Sequence, residues 1–339
     1  MSRPPTPPEE PPSLHDPWDA HGRVPLDGAL ERSKFSPGLL AGIVALGAFA
    51  IFFITSNVAA VAFLFLDGAD FQALQEDYLQ GLSDHAGGLL LSNTVGQILG
   101  LALPAFAIAW LHSSRWADFL RFRRPDLRLV LLAVAAWIAL YPAVNWLGQL
   151  NQGMPMPEWL QQWEAQQMAL IEQVLMGDLS LGFSLAVMAL TPAICEEVLF
   201  RGYFQRQVER GTGVAIGIIL SGVVFAIFHL RLSQVLPLAL LGIFLAYLAW
   251  RTGSLWIPVI IHFLNNAYAV SVGFWVRHQE DLALQDVEQL SVPWYLLIGG
   301  LIALVIVYIA IENRAQDLLE KKEASRTGSA NPELPEEKR

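Results

Sequence analysis

Long uncharged apolar runs decide what this chain can fold into. A helix that crosses a bilayer needs about 20 consecutive, mostly apolar residues. Eight stretches meet that requirement, at about 38–66, 89–112, 129–150, 180–200, 214–230, 234–250, 254–274 and 293–311. They predict an all-α fold, a polytopic transmembrane bundle of about eight spans. Composition agrees, with 54% hydrophobic and 15% charged residues against about 25% charged in a soluble domain. A soluble globular protein and a disordered chain are thereby excluded. The formal net charge of −10 opposes phosphate binding, so no nucleic-acid partner is expected. The single cysteine, Cys195, leaves no disulfide framework and no multi-cysteine metal cluster.

The first run exceeds a tight span and is expected to tilt or extend into an interface. The 37 largely polar residues before it argue against a cleaved signal. Basic residues collect on the cytoplasmic side of membrane proteins. Here Arg32 and Lys34, then Arg115, Arg121, Arg123 and Arg124, then Arg201, Arg206 and Arg210, then Arg251, and finally Arg314, Lys321 and Lys322 fall on one side. The opposite loops carry only Arg231 and Arg277 among many carboxylates. Both termini are therefore expected in the cytoplasm, with a bacterial inner (plasma) membrane as the expected location.

Composition also suggests the domain organisation. Residues 1–37, with nine prolines, read as a disordered tail. Residues 38–179 hold spans one to three and an outer segment. Within it, 157–176 reads either as an interfacial helix or as a loop helix packed on the bundle. Residues 180–275 hold spans four to seven, 276–314 the last outer loop and span eight, and 315–339 a charged tail, flexible after a helical start.

Ionisable groups inside a span are costly and mostly functional. The interior set is small: Glu196 and Glu197 in span four, His229 near the end of span five and His262 in span seven. His112, at a span end, reads as interfacial. Glu196 precedes Gly211 by 15 residues and His229 follows Gly213 by 16, so both stand about 23 Å from the turn in an antiparallel pair. Asn266 lies one turn beyond His262 on the same face. Glu197 and Arg201, at i,i+4, can form an ion pair, which leaves Glu196 the freer carboxylate. Phe225, one turn below His229, can fix its rotamer. His262 and Asn266 can both donate hydrogen bonds, as an oxyanion on a carbonyl requires. Taken singly, Glu197–Arg201 reads as a structural pair and an asparagine as interhelical glue. It is the set that points to a site. Cys195 reads as packing.

These residues carry a resemblance. Glu196-Glu197-Val-Leu-Phe-Arg201 is EExxxR, Phe225–His229 is FxxxH and His262–Asn266 is HxxxN. In that order, framed by FRGYFQ, GVVFAIFHL and LAWRTGSLWIPVIIHFLNNA, they resemble the CPBP intramembrane endopeptidases, which include type II CAAX prenyl endopeptidases and bacterial Abi-type proteins. The resemblance covers about residues 180–275. It implies that Glu196 activates water with His229 as partner, that His262 and Asn266 stabilise an oxyanion, and that Glu197, Arg201 and Phe225 support them. It further implies a membrane-associated peptide or protein as substrate and no required cofactor. A zinc enzyme, with Glu196, His229 and His262 as ligands, is also compatible with the sequence. No HExxH, GxSG or GxGD motif points to another class of intramembrane protease. The competing expectation is a non-proteolytic scaffold or a proton-coupled transporter built on the same buried Glu/His set.

Overall fold

The computed structural model describes residues 12–33, 35–70, 84–279, 281 and 291–328. Its helices are α1 Pro37–Leu66, α2 Ala86–His112, α3 Leu127–Gln152, α4 Glu158–Met176, α5 Leu181–Thr212, α6 Val214–Phe228, α7 Val235–Thr252, α8 Trp256–Val276 and α9 Trp294–Thr327. Seven helical segments are long and apolar enough to cross a membrane, and α6 is a shorter apolar helix. The chain is a multi-pass helical membrane protein. α9 continues well past the sequence-read span, to Thr327, so the described part of segment 315–339 is helical.

Local chemistry sets the helix ends. Ser36 and Asp126 cap α1 and α3 by accepting the amides of Leu39 and Leu129. Gly253, in the left-handed region at φ 63°, closes α7 and turns the chain into α8. Where α6 crosses α7, a Cβ on Gly222 would lie 2.4 Å from the Ile243 amide nitrogen, and one on Gly242 2.8 Å from the Gly222 Cα. Only glycines permit that approach, a small-residue contact typical of packing in lipid. α2 and α5 are not regular throughout. π-turns occupy Ile98–Ala102, Leu185–Leu190 and Val198–Phe204, the last beginning directly after the paired glutamates.

α4, left open between two descriptions, packs on the bundle with one face outward. Its Glu164 is buried and accepts hydrogen bonds from the amides of Leu232 and Ser233 at the start of α7, while Trp159 is exposed.

The N-terminal segment differs from the expected disordered tail. Residues 12–33 are ordered. Strand β1 (Ser13–His15) pairs antiparallel with β2 (Arg23–Pro25), and this arm lies across the bundle end that carries the basic loops. Asp16 accepts from Arg123 at 3.0 Å and Arg206 at 2.5 Å, Asp19 accepts from Arg115, and Glu31 accepts from Arg210 at 2.9 Å. Lys322 and Arg326 of α9 donate to the carbonyls of Trp18, Pro17 and Ala20. His112 is likewise not interfacial. It is buried, stacked on Phe119 with ring centroids 5.4 Å apart, with Nδ1 donating to Glu31 at 2.6 Å and Nε2 accepting from Gln207 at 2.6 Å.

Burial alone would raise the Asp16 pKa, but the charges of Arg206 and Arg123 outweigh it and hold the carboxyl well below its ordinary range. A depressed folded-state pKa gives stability that is complete above the ordinary carboxylate pKa and is lost as pH falls towards the folded value. Asp19 and Glu31 are shifted the same way. Spin labels on Ser13 and Ser325 should therefore report one fixed distance from about pH 7 to about pH 5, with a broad component that begins to grow as pH falls below about 4. A distance that broadens on raising the pH from about 5 to about 7, rather than on acidification, would contradict this account.

Candidate active site

The site is built where α5, α6 and α8 meet. Glu196 and Glu197 stand next to each other on α5, about 100° apart around the helix, and the structure gives them separate surroundings. Glu197 is fully buried, and its Oε1 accepts from Arg201 Nη1 at 2.7 Å and from His262 Nδ1 at 2.8 Å. Arg201, equally buried, donates its Nη2 to the Gly242 carbonyl at 3.1 Å and lies over the Phe225 ring, 4.2 Å from its centroid. The Gly222–Gly242 crossing thus brings α7 close enough for its backbone to serve the guanidinium. Sequence reading paired Glu197 with Arg201. That it also holds His262 depends on the approach of α8, which no local spacing reveals.

Glu196 has no such anchoring. Its Oε2 is buried without a hydrogen-bond partner among the described residues. His229 Nε2 lies 4.0 Å from that oxygen and His262 Nε2 3.9 Å, both beyond direct hydrogen-bond length. Each imidazole is held by its other nitrogen. His229 Nδ1 donates to the Phe225 carbonyl at 2.8 Å, with the Phe225 ring edge-on at 4.6 Å. His262 is anchored by Glu197, with the same Phe225 ring 5.7 Å away. Phe225 therefore touches both histidines and the arginine.

These partners assign the tautomers. A carbonyl only accepts, so His229 carries its proton on Nδ1 and, when neutral, presents a lone pair at Nε2. Glu197, paired to Arg201, also only accepts, so His262 likewise carries a proton on Nδ1. The two rings nevertheless differ, since His229 rests on a neutral carbonyl and His262 on a carboxylate.

Asn266 follows His262 by one turn and is half-buried. Its Oδ1 accepts from Asn265 Nδ2 at 3.4 Å, and Asn265 Oδ1 accepts from Trp137 of α3 at 3.3 Å. Glu196, Glu197, Arg201, Phe225, His229 and His262 are thus drawn into one cluster, while the hydrogen bond at Asn266 leads towards α3. Sequence reading did not find the Trp137–Asn265 pair, because a tryptophan and an asparagine 128 positions apart share no pattern. Cys195 is a buried free thiol.

The donor set Glu196, His229 and His262 has the chemistry of a zinc site. Bonds of about 2.1 Å to a tetrahedral ion would put the ligand atoms about 3.4 Å apart. The observed separations from Glu196 are about half an ångström wider, and no trio of His, Cys, Asp or Glu among the described residues is drawn close enough to ligate one ion. The residues in this arrangement therefore do not fit a bound zinc without moving.

Residues 178–268 match the family model described as Type II CAAX prenyl endopeptidase Rce1-like. A relative, "Putative membrane peptidase YdiL" of Bacillus subtilis (strain 168), is 29% identical over 115 residues, covering 34% of this chain and 45% of the relative. The match thus spans less than half of that protein's length. No solved structure matches. The matched region contains every member of the glutamate–histidine cluster, and the chain is thus a multi-pass membrane protein bearing a type II CAAX prenyl endopeptidase Rce1-like segment.

Proposed function

We propose that the protein is an intramembrane endopeptidase that hydrolyses a peptide bond of a membrane-associated peptide or protein, using water activated by Glu196 and His229. The observation that carries this reading is the buried, unpartnered Glu196 Oε2 facing two imidazole Nε2 atoms at 3.9 and 4.0 Å. That spacing suits one water molecule accepting and donating hydrogen bonds of about 2.8 Å. Because no protein donor occupies Glu196 Oε2, its charge is available to a water proton. His229 presents a lone pair to the same place and shares the role of base.

Attack by the oxygen forms a bond to the scissile carbonyl carbon and puts the electron pair on the carbonyl oxygen. His262, whose Nδ1 proton faces Glu197, stabilises that oxyanion when Nε2 is also protonated. Asn266, one turn away, is the second donor through its amide. The oxyanion's electron pair then returns to re-form the carbonyl, the C–N bond breaks, and the proton held by Glu196 and His229 passes to the leaving amine. The substrate is of the class that reaches a site among helices, a membrane peptide or protein, and need not be prenylated. The basic-residue asymmetry supports cytoplasmic termini, and the Bacillus subtilis relative supports a bacterial membrane.

Comparing membrane proteomes of wild-type and Glu196→Ala cells tests the reading. A precursor that accumulates uncleaved only in the variant is expected. Identical profiles with the biological phenotype retained would favour a scaffold instead. The wide donor spacing leads us to propose that no metal is required. Activity of the purified protein should then survive exhaustive chelation. Loss under a zinc-selective chelator, restored by zinc alone, would make it a metalloprotease.

A further inference from the structure

A cavity of about 330 Å³ lies between the N-terminal arm and the adjoining ends of α5, α6 and α7, and none of its lining residues belongs to the glutamate–histidine cluster. Three guanidinium groups, Arg121, Arg206 and Arg210, line it with two carboxylates, Asp16 and Glu209. The wall thus carries an excess of one positive charge. The carboxylates are already engaged. Asp16 takes Arg123 and Arg206, and Glu209 takes Arg121 and Gln205.

Arg121 is the unusual member. It is 3% exposed, and its Nη1 is buried without a hydrogen-bond partner among the described residues. A buried cationic donor with no acceptor is costly. Its backbone sits at φ 62°, a left-handed conformation uncommon for a non-glycine residue, held where its carbonyl accepts from the Leu255 amide at 2.8 Å. Burial, reinforced by the like charge of Arg206, pushes the guanidinium down from its ordinary value despite Glu209. Strain, burial and an unmet donor thus coincide at one arginine in the wall of a positively charged cavity.

Apart from His15, the rest of the wall is apolar. Val214 begins α6 and Trp250 stands near the end of α7, and the ends of membrane-spanning helices are ordinarily where acyl chain gives way to headgroup. Free phosphate has no use for such a wall, whereas a lipid presents an anion and an apolar chain together. Basic pockets between helices on the side with the basic loops suit anionic headgroups. We propose that this cavity binds the phosphate of an anionic phospholipid, held by Arg121, Arg206 and Arg210, with its acyl region along Val214 and Trp250.

Native mass spectrometry of the full chain in detergent tests this, with phosphatidylglycerol, phosphatidylcholine or inorganic phosphate added. The expected result is one phosphatidylglycerol retained beyond the level reached with phosphatidylcholine. Arg121→Gln should weaken that binding about tenfold, the loss of roughly one charge-assisted hydrogen bond. Val214→Trp keeps every guanidinium but fills the apolar wall, and should weaken it comparably; it decides the matter if Arg121→Gln does not fold. Equal retention of phosphatidylcholine would overturn the proposal, as would unchanged binding in Val214→Trp. Displacement of the lipid by an equal concentration of inorganic phosphate would assign the cavity to a free anion instead.

Discussion

Glu196→Gln is expected to abolish cleavage while the protein still inserts, folds and melts as the wild type does. The substitution keeps the shape of the side chain and removes its capacity to take a proton. Because Glu196 Oε2 makes no hydrogen bond within the described structure, the amide breaks no structural contact. Loss of a positioned base lowers turnover by about 100-fold to 10,000-fold. The measurement is the rate of precursor cleavage in reconstituted membranes, read beside thermal melting in detergent. A variant that turns over at the wild-type rate would remove Glu196 from the reaction.

Arg201→Ala should fail in the opposite way, as protein that does not accumulate. Arg201 and Glu197 are both fully buried, so alanine leaves an uncompensated carboxylate among the helices. Breaking a buried pair in this way costs about 3–5 kcal/mol, to which the lost stacking on Phe225 adds. Pairing Arg201→Met with Glu197→Gln removes both charges and should recover much of the yield. It should not recover activity, because His262 would lose the carboxylate that orients it. Arg201→Ala protein melting at the wild-type temperature would show that this burial is not stabilising.

What was legible in the sequence followed from local spacing. The apolar runs located the helices, and the three motifs named the residues that the structure gathers with Glu196, although Asn266 of the third motif is bonded towards α3. The i,i+4 spacing gave Glu197–Arg201 because both lie on one helix. Three features had no such signal. The π-turn at Val198–Phe204 rotates the helix after the glutamates, yet no local pattern in these residues marks the departure from regular helix. His112 stands at a span end, where exposure is the ordinary outcome, and is buried only because Glu31 and Gln207 reach it from distant parts of the chain. The arm misled through composition. Nine prolines in 37 residues read as a chain unable to order itself, and its order comes from partners such as Arg206, 190 positions away.

That arm bears on how the protein is made. Trp18 and Lys322, which touch in the finished molecule, are separated by 304 positions. The arm leaves the ribosome early, meets Arg115, Arg123, Arg206 and Arg210 as those segments emerge, and completes its contacts only once α9 has been synthesised. The last of its docking is therefore a closing step of biogenesis, a clasp fully fastened only when α9 is in place. A chain truncated before α9 would present an arm held less firmly, without its contacts to Lys322 and Arg326. Quality control could thus read the completeness of the far terminus from the near one.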